Sequence, residues 1–514
     1  MDSGALLGYG LRLMWRDLGS SEQEWERTPQ SVRTVLLALQ QQVRLMGIRF
    51  TAYEKQLATL REQVAQVDDL KAEIAELRER LGQNSSNSSR PPSSDPPSYK
   101  PKPEREPKGR KRGGQPGHQG STRKMVPAEE VDHLFELKPT SCTNCGRKLR
   151  GHDPHPARYQ VSELPVVKAE VTEYRRHALC CGACGEWTRA GWPSNVGRTN
   201  FGPRAQAVVA YLTGRMGASH RDVVEVMQVL YGLFISTGSV ASIQRQVSHA
   251  LSAPVAETHN FARQQKSQHV DETGWREAGH LKWLWVNATA DVTAFEVLSG
   301  RGADQAKQMI NSEAKGVVTT DRYWSYNWLA PRRRQVCWAH LARDFQAMVD
   351  RGGESQEIGE ALLKQVKQLF KLWHKARAGD LSHERLAAVM KPVRRKVKEL
   401  LEAGTHCEQK KTRRTCTNIL KVERCLWTFL RVEAVEPTNN AAERGLRRAV
   451  LWRRKSFGTQ SESGSRFVGR ILTAVASLRQ QGRDVLEYLC GVCRSAVCGG
   501  VCEGLIPRLS STPT

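Results

Sequence analysis

Gln268-His269-Val270-Asp271-Glu272-Thr273 opens the stretch that decides the fold, and Lys282-Trp283-Leu284-Trp285-Val286-Asn287 and residues 292–298 follow it. Each run is short and rich in β-branched or aromatic residues, which suit pleated, half-buried backbone. Residues 303–310 then read as a helix. Gly316-Val317-Val318-Thr319-Thr320 reads as a short apolar strand with Asp321 at its end. Residues 335–338 read as a further strand, with a helix from Ala339. The order is three strands, helix, strand.

That order is the order of a ribonuclease-H-like fold. Strands one and four are then neighbours, and Asp271 and Asp321 come together. A later helix is expected to bring a third carboxylate. Glu443 fits, within Glu436-Pro437-Thr438-Asn439-Asn440-Ala441-Ala442-Glu443-Arg444. Thr438 or Asn439 can cap the helix start, which leaves Glu443 in its first turns. Three carboxylates so placed can hold two Mg²⁺ (or Mn²⁺) ions about 4 Å apart, one at the attacking oxygen and one at the leaving oxygen. Glu272 and Glu436 are the nearest rivals, and Glu272 should point to the opposite face of its strand. Cys337-x-x-His340 reads either as metal-binding or basic, or as a buried thiol with a hydrogen-bonded imidazole. Arg444, Arg447, Arg448, Arg453, Arg454 and Lys455 flank Glu443. They suit DNA phosphates, or a solvated basic face.

Upstream, residues 204–215, 220–231 and 240–251 read as three short helices. Gly232 ends the second, and Ser236, Thr237 and Ser239 can cap the third. A helix-turn-helix over 200–252 would use the third helix to read DNA, exposing Ser242, Gln244, Arg245 and Gln246; a purely structural helix set is the alternative. Before it, Cys142-x-x-Cys145 and Cys181-x-x-Cys184 form two knuckles, followed by Gly146 and Gly185. Four thiolates suit a structural zinc-ribbon-like module over 129–195, with strands expected at 159–161 and 166–171. Cys180 competes with Cys181, and His152 and His155 allow a mixed site. Cys490, Cys493, Cys498 and Cys502 share a helical spacing too, but their Val-, Ala- and Gly-rich surroundings suggest buried free thiols.

A seam runs through Val32, Leu36, Leu39, Val43, Met46, Phe50, Tyr53, Leu57, Leu60, Val64 and Val67 in steps of four and three, then through Leu70, Ile74, Leu77 and Leu81. It predicts a dimerising coiled coil over 32–81, with a stammer at Val67–Leu70. A Ser-, Asn- and Pro-rich stretch follows and turns basic; residues 82–128 are expected to be a disordered basic linker. Among 514 residues, Lys plus Arg number 78 and Asp plus Glu 53, a net charge of +25. A surplus this large favours a polyanionic partner. No apolar run is long enough for a membrane span, and the apolar patch at 5–15 reads as neither signal peptide nor anchor. The 13 cysteines are odd in number and clustered, which points to a reducing, cytoplasmic setting with a metal site.

The full pattern resembles the insertion sequence 66 family of transposases. Gln83-Asn84-Ser85-Ser86-Asn87-Ser88-Ser89, Gly113-Gly114-Gln115-Pro116-Gly117-His118, the paired knuckles and Tyr211-Leu212 carry the resemblance. Asp271-Glu272-Thr273, Thr320-Asp321-Arg322-Tyr323, Cys337-Trp338-Ala339-His340 and Pro437 to Arg444 complete it, over roughly 36–489. The resemblance implies a bacterial DDE transposase with Asp271, Asp321 and Glu443 as its triad. It also implies a helical insertion between the second Asp and the Glu, and accessory partner proteins encoded by the same element. Residues 1–31 and those after Leu489 fall outside the pattern.

The expected architecture is therefore multidomain α+β. An extension over 1–31, the coiled coil, linker, zinc module and helix-turn-helix precede the catalytic core. That core comprises 265–350 and 433–488, split by a helical insertion at 351–432, with a tail at 489–514. The expected chemistry is Mg²⁺-dependent phosphodiester hydrolysis and strand transfer on double-stranded DNA: terminal inverted repeats and target. A homodimer or higher oligomer would carry it out, associated with the nucleoid when bound to DNA. A DNA-binding regulator derived from a transposase, or a ribonuclease-H-like nuclease without strand transfer, would share parts of the same pattern.

Overall fold

The computed structural model describes residues 19–84, 86–88, 123–194, 196–197, 199–313, 315–500 and 502–507. The apolar patch at 5–15 and the Pro- and Lys-rich part of the linker, 89–122, lie outside them. The chain is mixed α and β and divides into two compact units, Met1–Asn84 and Ser85–Thr514.

In the first unit, α1 (Glu22–Arg27) starts at Ser21, whose side chain exchanges capping bonds with Glu24. Pro29 stops the turn, and α2 (Gln30–Leu81) runs unbroken for 52 residues. The helix thus begins two residues before the expected start at 32. Its apolar seam faces water: Phe50 is 63% and Tyr53 65% exposed. No helix among the described residues is long and apolar enough to cross a membrane.

The second unit opens with the cysteine module. Here β1 (Ala178–Cys180) pairs antiparallel with β2 (Trp187–Arg189) around the second knuckle. The strands expected at 159–161 and 166–171 do not form. Alternation yields a strand only where one face can be buried, and here Tyr159 and Val161 are exposed, as are Val166 and Val171.

Four helices follow: α3 (Pro203–Tyr211), α4 (His220–Tyr231), α5 (Thr237–Ala250) and α6 (Ser252–Gln264). Ser219 and Ser236 cap α4 and α5. The sheet contains β3 (Ser267–Glu277), β4 (His280–Ala288) and β5 (Thr293–Leu298), then α7 (Ala303–Met309), β6 (Val317–Thr320) and β7 (Arg334–Val336). Its order is β5-β4-β3-β6-β7, with β3 and β6 parallel. A helical block comes next: α8 (Trp338–Asp350), α9 (Gly353–Arg377), α10 (His383–Val389), α11 (Lys391–Gly404), α12 (Lys410–Leu420) and α13 (Glu423–Leu426). It closes over its own core of Trp338, Phe345, Leu362, Leu401 and Trp427. Finally α14 (Asn440–Ser456) and α15 (Glu462–Gln480) return to the sheet, and α16 (Val485–Cys498) leads to the end.

One core joins Trp275, Leu284, Val286 and Phe295 of the sheet to Ala442, Leu446, Val468 and Leu472 of α14 and α15. Another, on the opposite face, joins Val270, Trp285 and Val318 to Met309 and Tyr326.

The C-terminal residues pack with the helices after the cysteine module, across the expected boundary at 488/489. Helix α16 crosses it, and Leu489, Cys490, Val492, Cys493 and Leu505 share one core with Ala207, Val240 and Val247. Three short helices bury too little apolar surface alone, so α15 and α16 complete their core. Cys490 and Cys493 are buried thiols there, while Cys498 is exposed. The expected reading surface of α5 is also narrower. Arg245 and Gln246 are exposed, but Gln244 is half-buried and its Oε1 lies 3.0 Å from His220 Nε2.

Candidate active site

Asp271 sits in the middle of β3 and Asp321 directly after β6. The parallel register pairs Gln268 with Val318 and His269 with Thr319. The pairing ends there: Asp271 lies two residues further along β3, and Asp321 opens the loop that leaves β6. Asp271 lies opposite Val286, on the face covered by α14, and Glu272 opposite Trp285, on the other. The expected alternation of these two acids is therefore present.

Helix α14 carries Glu443 to this face, and several contacts hold it there. Asn439, wholly buried at the helix start, donates from Nδ2 to the Val270 carbonyl at 2.8 Å. Its backbone N–H donates to Cys337 Sγ at 3.1 Å. The Trp338 N–H donates to the Pro437 carbonyl at 2.9 Å, and the Cys337 N–H to the Thr320 carbonyl at 2.9 Å. Further along α14, Arg453 donates to Thr273 Oγ1 at 3.0 Å and to the Gly274 carbonyl. The Pro437–Arg444 segment, the Cys337–His340 turn and the two Asp-bearing strands thus form one hydrogen-bonded body.

The electrostatics are those of crowded carboxylates. Loss of water pushes the Asp271 carboxyl well above its usual range, and the charges of Glu272, Asp321 and Glu443 push the same way. Burial also raises Asp321, opposed by the Tyr323 N–H, which donates to Asp321 Oδ1 at 2.9 Å, and by Arg301 and Arg334. Such a set of hard oxygen donors wants cations. In this structure guanidinium groups supply part of that charge. Arg301 Nε is 2.5 Å from Glu272 Oε1 and its Nη2 3.6 Å from Asp321 Oδ2. Arg301 also lies 3.8 Å above the Tyr323 ring. Tyr326 donates its hydroxyl to Glu272. Glu443 Oε1 is 2.9 Å from Arg343 Nη2 and 3.7 Å from His340 Nδ1.

Among the described residues, the one group of three metal-capable side chains with ligand atoms all within 4.8 Å of one another is Cys337, His340 and Glu443. Its chemistry does not favour a soft metal. Burial pushes the Cys337 thiol up to about 11, so it stays protonated and serves as acceptor for the Asn439 N–H. Burial, then Arg343, Arg301 and Arg322, bring His340 down to about 3, so its imidazole is neutral. Asp271, Asp321 and Glu443 are not all within that limit of one another, and Glu443 is drawn toward Arg343.

The knuckles stand as two separate pairs in this structure. Each is well made: Gly146 and Gly185 take φ of +69° and +71°, and their N–H groups return to the Cys142 and Cys181 carbonyls at 2.9 and 2.8 Å. The Cys145 and Asn144 backbone amides, with the Cys145 side chain, hold the Cys142 thiol below its ordinary value. Ala183 and Cys184 do the same for Cys181. Amides turned toward sulfur favour thiolate and thus metal. Cys180 points its Sγ at the Gly185 carbonyl, 3.3 Å away. Arg444, Arg447 and Arg448 lie exposed along α14.

Several site residues escaped the sequence reading. Arg301 stands in a Gly300-Arg301-Gly302 turn before α7. Arg334 is wholly buried in β7, where it clamps the loop after Asp321 through the carbonyls of Asp321 and Tyr323, Thr320 Oγ1 and Asn327 Oδ1. It stands one residue before the strand read at 335–338, at the end of an Arg332-Arg333-Arg334 run, so no local signal marked it as buried.

Two family models match the chain. The Transposase IS66 family model covers residues 198–466, more than half of it, and a family of unknown function matches residues 38–124. A Sinorhizobium fredii relative, the uncharacterized protein y4qI, is 25% identical over 232 residues; the match spans 40% of this chain and 42% of that protein. The sheet, with Asp271 and Asp321 and the helix fastened across it, is the part the transposase model covers. The chain belongs to the IS66 family of transposases.

Proposed function

We propose that the chain is the catalytic transposase of an insertion sequence, a DDE enzyme whose core is ribonuclease-H-like. It would cut the ends of its element and join them to target DNA. The observation that carries this reading is the burial of Asp271, on β3, among the charges of Glu272, Asp321 and Glu443, with Asp321 just past the parallel neighbour β6 and the helix of Glu443 tied to β3 by the Asn439–Val270 bond. Asp271, Asp321 and Glu443 are the residues that would hold divalent cations; the raised Asp271 and the hard oxygen donors fit Mg²⁺ or Mn²⁺. When bound, such ions supply the activation of an attacking oxygen and stabilisation of a leaving oxygen.

The remaining roles belong to the chain. Arg301 and Tyr326 hold Glu272 in place beside Asp321. Arg334 fixes the loop that presents Asp321. Arg343 orients Glu443, and Cys337 accepts from the backbone N–H of Asn439 at the start of the helix that carries it. Arg444, Arg447 and Arg448, on the same helix, suit the phosphates of the bound strand. In α5, exposed Arg245 is placed to reach DNA, with Gln244 shared between DNA and His220. Cys142, Cys145, Cys181 and Cys184 suit one structural zinc once the two knuckles come together. The α2 seam suits a second copy of the chain. Accessory proteins of the element remain expected partners.

The test is an assay of the purified chain with duplex DNA carrying the inverted repeats that flank its gene. Cuts at the repeat ends with Mg²⁺ and none with EDTA support a catalytic transposase. Joining of the cut 3′ end to a second duplex distinguishes it from a nuclease without strand transfer. Binding without cutting, even with the accessory proteins present, would leave a DNA-binding regulator instead.

A further inference from the structure

Phe457 ends α14 in a conformation that side chains avoid. Its φ is +57°, in the left-handed region, where a Cβ crowds the following carbonyl. Glycine or asparagine usually fills this place, because the N–H there closes the last turn of a helix. Here the Phe457 N–H donates to the Arg453 carbonyl at 2.8 Å. The ring is 80% exposed. The residue thus carries backbone strain and an apolar surface in water, and burial offsets neither. Such strain persists only where the surroundings over-determine it, and it gathers at working sites.

The surroundings over-determine it here. Gly458 follows at φ +111°, and a Cβ there would stand 2.1 Å from the Arg276 carbonyl oxygen. The Thr459 N–H donates to that carbonyl at 2.8 Å, and the Ala278 N–H donates to the Thr459 carbonyl at 2.8 Å. Trp275 Nε1 donates to Thr459 Oγ1 at 3.1 Å. The end of the β3–β4 hairpin therefore clamps residues 458 and 459, and Phe457 projects from a fixed mount.

Phe457 also closes a basic stripe. Arg444, Arg447, Arg448, Leu451, Arg454 and Lys455 are exposed along α14, at spacings of three and four that keep one helix face. The helix has no acidic residue after Glu443. From Glu443 to Phe457 it rises about 21 Å, the length of about six stacked base steps.

We propose that Phe457 is a wedge that inserts between two bases of the DNA lying along this stripe. The inference rests on the transposase reading and adds to it a contact to bases, where the arginines suit phosphates. The charge of the stripe selects a polyanion, and an exposed, rigidly mounted ring selects one with stacked bases. Unstacking one step within about six base pairs of the acidic residues would kink the duplex beside them.

The experiment titrates the full chain into duplexes carrying the element's ends, with 2-aminopurine placed in turn at positions near the cut; this base brightens when its neighbours unstack. Wild type should brighten it at one step. Phe457→Gly should abolish the brightening and weaken binding about fivefold or more, the lower end of what one base–aromatic stack contributes. It should leave the slope of log K against log salt unchanged, because no phosphate contact is lost. Without DNA it should melt near or above the wild-type temperature, since glycine takes positive φ freely. Arg454→Gln should instead lower the slope by about one and keep the brightening. Brightening retained in Phe457→Gly, or absent when wild type is bound, refutes the wedge and leaves the transposase reading standing. A salt slope reduced by Phe457→Gly also refutes it. If the wild type binds none of these duplexes, both fall.

Discussion

Asn439 Nδ2 donates a 2.8 Å hydrogen bond to the Val270 carbonyl, one residue from Asp271, while its backbone N–H donates to Cys337 Sγ. One buried residue thereby ties the helix that carries Glu443 to the strand that carries Asp271 and to the turn that carries His340.

Asn439→Ala should therefore act on both stability and chemistry. It leaves the Val270 carbonyl without its partner in a buried setting, a cost of about 1–3 kcal/mol. Denaturant melting should show that loss, and Mg²⁺-dependent cleavage should fall further than stability alone explains, because Glu443 loses its fixed approach. Unchanged cleavage in a destabilised protein would show that the bond serves folding only.

Asp271 makes the metal-free protein pH-sensitive. Its folded-state pKa is raised by burial and by Glu272, Asp321 and Glu443. Above the ordinary carboxylate value the native state thus holds a proton that the unfolded chain has released. Stability attributable to this group falls as pH rises through that window. Asp271→Asn should melt higher than wild type at neutral pH in EDTA, and Mg²⁺ should raise the melting temperature of wild type more than that of the variant. A lower melting temperature for Asp271→Asn in EDTA would contradict the crowding account.

The two knuckles should bind zinc as one site. Backbone amides already favour thiolate at Cys142 and Cys181. Metal analysis of purified chain should find about one zinc per chain. Cys142→Ser or Cys184→Ser should lose it and expose the remaining three thiols to alkylation. Zinc retained in both variants would move the site elsewhere.

The seam of α2 should pair with a second copy. Leu57 and Leu60 are exposed at its centre, 49% and 58%. Sedimentation should show the wild type as a dimer or larger, and Leu57→Lys with Leu60→Lys should lower the association state. A monomeric wild type would assign the seam to another partner.

Much of the sheet was legible because its signals are local. The β-branched and aromatic runs at 268–273 and 282–287 and the apolar run before Asp321 each announce a strand. Ser236 announces a helix start by its capping chemistry. Asp271 and Asp321 stood out by their places on two such strands. The support around them was not legible, because it depends on contacts between distant segments. Glu272 meets Arg301 and Tyr326, and Cys337 meets Asn439, only after the sheet is assembled. The packing of helix α16 was missed for the same reason: its core partners, such as Ala207 on α3, lie far away in sequence. At 159–171 the local signal misled, since alternation there meets no second layer to bury it.

The most direct measurement compares wild type and Asp271→Asn in cleavage of duplex DNA carrying the element's ends, with Mg²⁺ present and DNA binding followed in the same samples. The account predicts Mg²⁺-dependent cuts at the repeat ends by wild type, and none by a variant that still binds the DNA. Cleavage by Asp271→Asn at the wild-type rate would remove Asp271 from the chemistry and contradict the assignment of the active site.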